Sequence, residues 1–406
     1  MALSAVGLVP TATKAEWTMN QCVFVTGARG FLGRNLLEAA ARKFPRAVFV
    51  LLARSERAAA DLRGRFGWLG RERLRIVQGD IVQPGLGLAP SESTALASVN
   101  EVWHLAASTS FDDREQEAIY QGNVVGTRNV LAAARGLAKL DRFVYMSTAY
   151  VAGTNLGPIA EDEMPARNGF RNCYEATKWE AERTVRQSGL PFVIFRPSII
   201  MGDSRTFDPQ GERRMIYGYL LGIYYSVLRE CKRRGIDFVG NWRGGNELEL
   251  DMRLLGHPRA TKNFVCIDDV TASILHILDT ATVMKSYHLT SARAIDGLGM
   301  WRCIAKALRI NGVRYVGEAI ENPTSLERHV MSYTAPFLPY TVQPDPVWLL
   351  TNTDKAMGWR HARAPMNEAM LTGLLERFMA EEVSARQALA EGVAALPEGA
   401  VMLAGA

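Results

Sequence analysis

The stretch Cys22-Val23-Phe24-Val25-Thr26-Gly27-Ala28-Arg29-Gly30-Phe31-Leu32-Gly33-Arg34 decides the fold. A short apolar run ends in glycines at three-residue spacing, after which Leu32, Leu36, Leu37 and Ala40 recur at helical spacing. Strand, glycine turn and helix in that order form a dinucleotide cradle. Gly27 allows the bend, Gly30 lets backbone approach a pyrophosphate, and Gly33 lets the helix pack close to the strand. The start of the helix, at Phe31 and Leu32, offers unpaired N–H groups to phosphate oxygens.

Working outward, further apolar runs fall at residues 48–52, 74–77, 101–105, 143–146 and 192–195, with helical patterns between several of them. Continuous apolar strands separated by helices predict an α/β fold: a Rossmann-type, doubly wound parallel sheet covered on both faces. After Pro197 the rhythm changes. A long helix is expected over 213–234, a glycine-rich loop at 240–245, a strand at 263–267 and a helix at 268–279 capped by Asp268 or Asp269. The expected organisation is a loose leader (1–21), a dinucleotide-binding domain (22–212) and a smaller substrate lobe (213–363). Residues 262–290 of that lobe return to the main sheet, so the two are interleaved. An amphipathic helix (364–391) and a flexible tail (392–406) complete the chain.

Composition excludes several classes. The 406 residues are 48% hydrophobic and 22% charged, an ordinary globular balance, and the net charge of +5 is scattered, so no nucleic-acid partner is expected. The five cysteines form no CxxC pair and have no histidine at zinc-finger spacing, which predicts a reducing, cytoplasmic setting and no metal site. The apolar stretch at 217–228 is shorter than the ~20 residues that span a bilayer, so no transmembrane segment is expected. GxSxG, P-loop and HExxH patterns are lacking.

The second predicted strand ends in Leu51-Leu52-Ala53-Arg54-Ser55, where a cofactor without a 2′-phosphate would usually meet an acidic residue. Arg54 is placed to grip a 2′-phosphate, with Arg29 and Arg34 assisting, because a guanidinium offers forked donors to phosphate oxygens. NADP(H) is therefore favoured over NAD(H). Asp80 and Ile81, after the third strand, are candidates for the adenine edge, although Asp80 equally suits a turn cap.

Tyr174 and Lys178 lie four apart, on one face of a predicted helix. An ammonium beside the phenol is expected to lower the phenol's pKa from ~10 and make it a usable acid or base. Thr148 supplies a hydroxyl for a reacting carbonyl oxygen, with Ser147 as its rival. His104 reads as a packed strand-end residue, and Cys173 as a buried, inert thiol.

These motifs resemble the extended short-chain dehydrogenase/reductase superfamily: TGxxGFLG, His104-Leu105-Ala106-Ala107, Asn123-Val124-Val125-Gly126-Thr127, the Ser147-Thr148 strand end and YxxxK. The resemblance runs from residue 22 to at least residue 290. It implies a Thr148–Tyr174–Lys178 catalytic set, Lys178 holding the cofactor ribose, Ala106 and Ala107 beside the cofactor, and Pro197 and Ser198 beside the nicotinamide. Ser110-Phe111-Asp112, Ser147 to Val151, and Arg196 to Thr206 look like the thioester reductase and fatty acyl-CoA reductase branch. That branch implies NADPH-dependent reduction of a CoA-bound or carrier-bound acyl thioester to an aldehyde, and in some members on to an alcohol. Phe207-Asp208-Pro209 departs from the glycine that many relatives carry there. With no fused carrier domain in this sequence, an acyl or peptidyl carrier protein would deliver its thioester in trans. The resemblance also implies a homodimer.

The alternative reading is a sugar-nucleotide epimerase or dehydratase, or a ketone reductase, of the same superfamily. Arg54 disfavours the NAD that a sugar-nucleotide enzyme expects, and Ala149 stands where a dehydratase usually has an acid. A redox-sensing protein that has lost catalysis is disfavoured by Tyr174 and Lys178. The stretch 217–228 is a candidate acyl-pocket wall, and Arg229, Lys232, Arg233 and Arg234 are candidates for a CoA or phosphopantetheine phosphate; a core helix with a basic, solvated end reads equally well.

Overall fold

The computed structural model describes residues 21–165, 169–280, 282–358 and 366–390. The expected leader, except for Gln21, and the expected tail lie outside them. The strands of the main sheet are β1 (Cys22–Thr26), β2 (Val48–Ala53), β3 (Leu74–Gln78), β4 (Glu101–His104), β5 (Arg142–Met146), β6 (Phe192–Pro197) and β7 (Lys285–Leu289). The helices that matter here are α1 (Phe31–Lys43), α2 (Gly126–Arg135), α3 (Cys173–Arg186), α4 (Ile216–Arg233), α5 (Ile267–Thr280), α6 (Gly297–Leu308) and α7 (Glu368–Ala390).

Every neighbouring pair in the sheet is parallel, in the order β3-β2-β1-β4-β5-β6-β7. Strand order reverses between β1 and β4, which opens a crevice beyond their carboxyl ends. β1, β4 and β5 are buried along their whole length, and the charged residues they carry are paired, Arg142 at the start of β5 with Glu101 at the start of β4. Leu36, Leu37 and Ala40 of α1 and Ile274 and Ile277 of α5 cover one face. Val130 and Leu131 of α2 and Ala181 and Val185 of α3 cover the other. A third core lies among α4, α6 and α7, with Tyr217, Leu220, Ile304 and Leu375 at its centre.

The region after Pro197 differs from expectation in detail. The expected strand at 263–267 is divided: Thr261–Lys262 pairs antiparallel with Ile295–Asp296, and Phe264–Cys266 pairs parallel with Ile199–Met201. The strand that joins the main sheet is β7, beside β6. α5 begins at Ile267, so Asp268 and Asp269 lie in its first turn. Asp268 accepts hydrogen bonds from the Ser204 amide at 2.9 Å and hydroxyl at 2.6 Å, holding the loop after Met201. α4 starts at Ile216 rather than near 213 because Met215 adopts φ +55°, outside the helical region. Gly240 is within a short helix, Phe238–Arg243, whose Asp237 cap accepts its amide at 3.0 Å; only Gly244 and Gly245 remain of the expected loop.

Candidate active site

Gly27 has φ +77°, and a Cβ there would stand 2.5 Å from the Ala106 amide nitrogen, so only glycine lets the first turn pass this close to the loop after β4. At Gly33 a Cβ would meet the Gly27 carbonyl at 2.2 Å, so glycine seats α1 on the turn. Gly30 caps α1 without a side chain, leaving the first amides of the helix open to a ligand.

A cavity of about 640 Å³ lies on one side of this turn, lined by Gly27, Arg29, Gly30, Arg54, Asp80, Ile81 and Ala106, among others. A second, of about 180 Å³, lies on the other side and is lined by Phe31, Leu32, Gly33, Thr148, Tyr174, Lys178, Pro197 and Ser198. The two share Gly27, Gly30, Leu105 and Ala107, so they form one groove across the turn with a wide end and a reactive end. A backbone cradle that excludes a Cβ, open amides and a groove on both sides fit a dinucleotide.

Arg54 is exposed at the wide end. Arg29 lines the same end and is paired with Asp61 at 2.5 Å. Asp80 lines this cavity, and its carboxylate caps the Val82 amide at 3.1 Å, the turn-cap use. Arg34 is not with them. It lies against the Phe31 ring and donates to the Gln210 carbonyl, because its position on α1 carries it toward the segment before α4.

At the reactive end, the chain leaving β5 places Ser147 and Thr148 in the wall of the same cavity. The Ser147 hydroxyl donates to Glu182 at 2.5 Å. Thr148 lines the cavity, accepts the Tyr150 amide at 3.2 Å and lies 3.5 Å from the Pro197 carbonyl. α3, capped by Asn172, brings Tyr174 and Lys178 to the same wall. Burial pushes the Tyr174 phenol up to about 12, against the lowering effect of the Thr148 hydroxyl. The expected lowering by Lys178 is not what the geometry provides: its ammonium donates to the Tyr145 hydroxyl at 2.8 Å and the Met146 carbonyl at 2.6 Å. Burial pushes that amine down to about 7.

His104 is buried between the Thr26 and Thr127 hydroxyls, at 2.8 and 3.0 Å, and burial and the nearby Lys178 charge lower it to about 3. It is a neutral, packed strand-end residue. Cys173 is partly exposed rather than buried, and its thiol is pushed up by burial and Asp113, so it is a poor nucleophile. Among the described residues no cluster suited to a metal is found.

Sequence reasoning passed over several site residues. Asn123 accepts the Ser108 amide at 2.7 Å and donates to Thr177 at 3.0 Å, tying the loop after β4 to α3; the Asn123-Val124-Val125-Gly126-Thr127 motif contained it without revealing this role. Glu212, Arg214 and Met215 line the reactive cavity; no motif marked them, and Arg214 and Met215 were read only as the start of the helix expected over 213–234. A small apolar chamber of about 40 Å³ adjoins it, sharing Ile199 and Met215. Phe111, Phe337 and Tyr340 form its aromatic wall, with Phe111 stacked on Tyr340 at 5.0 Å and 5.6 Å from the Tyr174 ring. Of the expected acyl wall at 217–228, only Tyr219 lines this chamber; most of the rest is core. Arg233 and Arg234 are paired with Glu230.

A parallel sheet in this order, a glycine cradle at its switch point and Thr148, Tyr174 and Lys178 on one wall define a dinucleotide-binding fold of the extended short-chain dehydrogenase/reductase class. Residues 25–240 match the NAD-binding family described as male sterility protein, and the chain belongs to that family. A fatty acyl-CoA reductase of Drosophila melanogaster is 30% identical over 254 residues, 51% of this chain and 48% of the relative. A farnesyl-dihydroquinoline-oxide ketoreductase of Stigmatella aurantiaca is 36% identical over 196 residues, 46% of this chain and 53% of the relative. The chain thus spans about half the length of these curated relatives. The terminal R domain of the myxalamid PKS-NRPS pathway shares the fold, with a TM-score of 0.66 and 24% identity over 94% of each chain.

Proposed function

We propose that this protein is an NADPH-dependent reductase of acyl thioesters, CoA-bound or presented by a carrier protein, that forms an aldehyde. The observation that carries this reading is the apolar chamber, walled by Phe111, Ile199, Phe264, Met300 and Phe337, that opens from the cavity holding Thr148 and Tyr174. Such a wall suits an acyl chain and offers a sugar ring few hydrogen-bond partners. The family's fatty acyl-CoA reductase relatives support the same class.

When bound, the reduced nicotinamide supplies the hydride to the carbonyl carbon. Gly27, Gly30 and the first amides of α1 would hold its pyrophosphate, Asp80 and Ile81 its adenine, and Arg54 and Arg29 a 2′-phosphate. Pro197 and Ser198 would border the ring, and Lys178 would take the ribose hydroxyls. Thr148 and Tyr174 orient the carbonyl oxygen and stabilise its developing negative charge; Tyr174 donates the proton to that oxygen. The resulting hemithioacetal loses its thiol to leave the aldehyde.

A second reading, reduction of a ketone, is favoured by the 36% identity to a ketoreductase and needs the same residues without the leaving thiol. NADPH oxidation by the purified protein with acyl-CoA, acyl-phosphopantetheine and ketone panels separates the two, with NADH in parallel and Tyr174→Phe as the control. Thioester-dependent oxidation that vanishes in the variant supports the first reading. Turnover confined to ketones refutes it.

A further inference from the structure

The segment Glu212-Arg213-Arg214-Met215 crosses the reactive end just before α4 and carried no recognisable motif. Glu212, 7% exposed, lines the cavity. Its Oε1 accepts the amides of Arg213 at 3.0 Å and Arg214 at 2.8 Å and the Arg214 Nε at 2.9 Å; its Oε2 accepts Arg214 Nη2 at 2.7 Å. The remaining guanidinium nitrogen of Arg214, Nη1, donates to Thr109 Oγ1 at 2.9 Å on the loop after β4. The guanidinium is therefore held from two sides of the cavity that Thr148 and Tyr174 also line.

Lys178 and Arg214 are the cations of that cavity among the described residues. Lys178 is committed to the Tyr145 hydroxyl and the Met146 carbonyl. Arg214 stays charged at any working pH, and its fork is fixed in advance, so no ordering cost falls on the reaction. The groups facing the phenol are Thr148 from the end of β5, Phe111 from the loop after β4, Glu175 and Lys178 from its own helix, and Arg214. The Glu175 charge raises the phenol's pKa and Arg214 lowers it.

We propose that Arg214, buttressed by Glu212 and Thr109, is the positioning residue whose fixed charge assists proton donation by Tyr174, a task the helical spacing alone assigned to Lys178. The proposal rests on the carbonyl-reductase reading given above, and it names the group that supplies the permanent charge at that site.

The test replaces Tyr174 by 3-fluorotyrosine and follows its ionisation by 19F NMR in three backgrounds: Arg214, Arg214→Met and Arg214→Lys. Opposite charges within about 4–6 Å shift a pKa by about 1–3 units, and a half-exposed one by less, so the midpoint is expected to rise by about half a unit or more in Arg214→Met. Arg214→Lys is expected to return most of the shift. Arg214→Gln is a second neutral variant should the methionine form not fold. With NADPH and a small aldehyde, the neutral variants are expected to lose roughly tenfold in kcat with KM and NADPH affinity little changed. An unmoved midpoint overturns the proposal. So does a loss confined to KM for CoA thioesters, which would make Arg214 a phosphate-binding residue. If the parent protein reduces no carbonyl compound, the functional reading fails, while the 19F midpoints still decide the role of Arg214.

Discussion

Lys178 donates to the Tyr145 hydroxyl at 2.8 Å, and its ammonium lies 4.3 Å from the centre of the same ring. The amine is thus held on β5 by a neighbour one strand residue from Met146, whose carbonyl it also binds. Burial lowers it to about 7, whereas the unfolded chain keeps it near ~10.4. Between these values the unfolded state binds more protons, so stability rises with pH across that window. Lys178→Met abolishes this term. Its melting temperature relative to the parent protein is expected to fall steadily from about pH 7 to about pH 10 in ligand-free thermal melts. A gap independent of pH would mean that the amine titrates normally.

The adjacent hydroxyls that follow β5, of Ser147 and Thr148, are expected to behave differently. Thr148→Ala removes the hydroxyl proposed to orient the reacting oxygen, and kcat is expected to drop about 10²-fold with NADPH binding intact. Ser147→Ala removes a donor to Glu182 and is expected to cost about 1–3 kcal/mol in denaturant titration with kcat nearly unchanged. The opposite pattern would transfer the catalytic role to Ser147.

Glu182 holds the base of the site together. It pairs with Arg196, itself fully buried, and also accepts from Arg186 and Ser147. Burial raises its pKa, but the charge and hydrogen bonds of Arg196 more than offset this and bring it to about 2. Its folded pKa lies below the unfolded one, so its stabilisation is present above about 4.5 and is lost as pH falls toward about 2. Glu182→Gln leaves Arg196 uncompensated, and a loss of about 3–5 kcal/mol is expected, with a flatter acid limb in the pH dependence of unfolding.

Arg54, proposed to grip a 2′-phosphate, stands exposed at the wide end of the groove. Arg54→Ala is expected to weaken NADPH binding about tenfold or more in fluorescence titrations and to leave NADH binding unchanged, since one charge-assisted contact is worth about 1.5–3 kcal/mol. Equal weakening of both cofactors would remove the 2′-phosphate role.

The parallel sheet, the glycine cradle at Gly27 and Gly33, and the placement of Thr148, Tyr174 and Lys178 on one wall were all readable from the chain. Local signals carry each of them: apolar runs of strand length, glycines at fixed spacing, and two side chains one helical turn apart. The misplacements share a cause. Arg34 is near the cradle in sequence, yet the direction of α1 turns it toward Gln210. The divided strand at 261–266 and the late start of α4 depend on partners far along the chain and on the positive φ of Met215, none of which leaves a local pattern.

By itself, then, the sequence determined the fold class and singled out side chains that line one wall of the cavity, because periodicity and turn chemistry act over a few residues. Only the tertiary structure decided which charge each of them feels. Ser147 is claimed by Glu182 and Lys178 by Tyr145, while Arg214 reaches the cavity through Glu212 and Thr109. Burial and partner choice depend on side chains brought together from distant segments, and they set the proton affinities on which the chemistry turns.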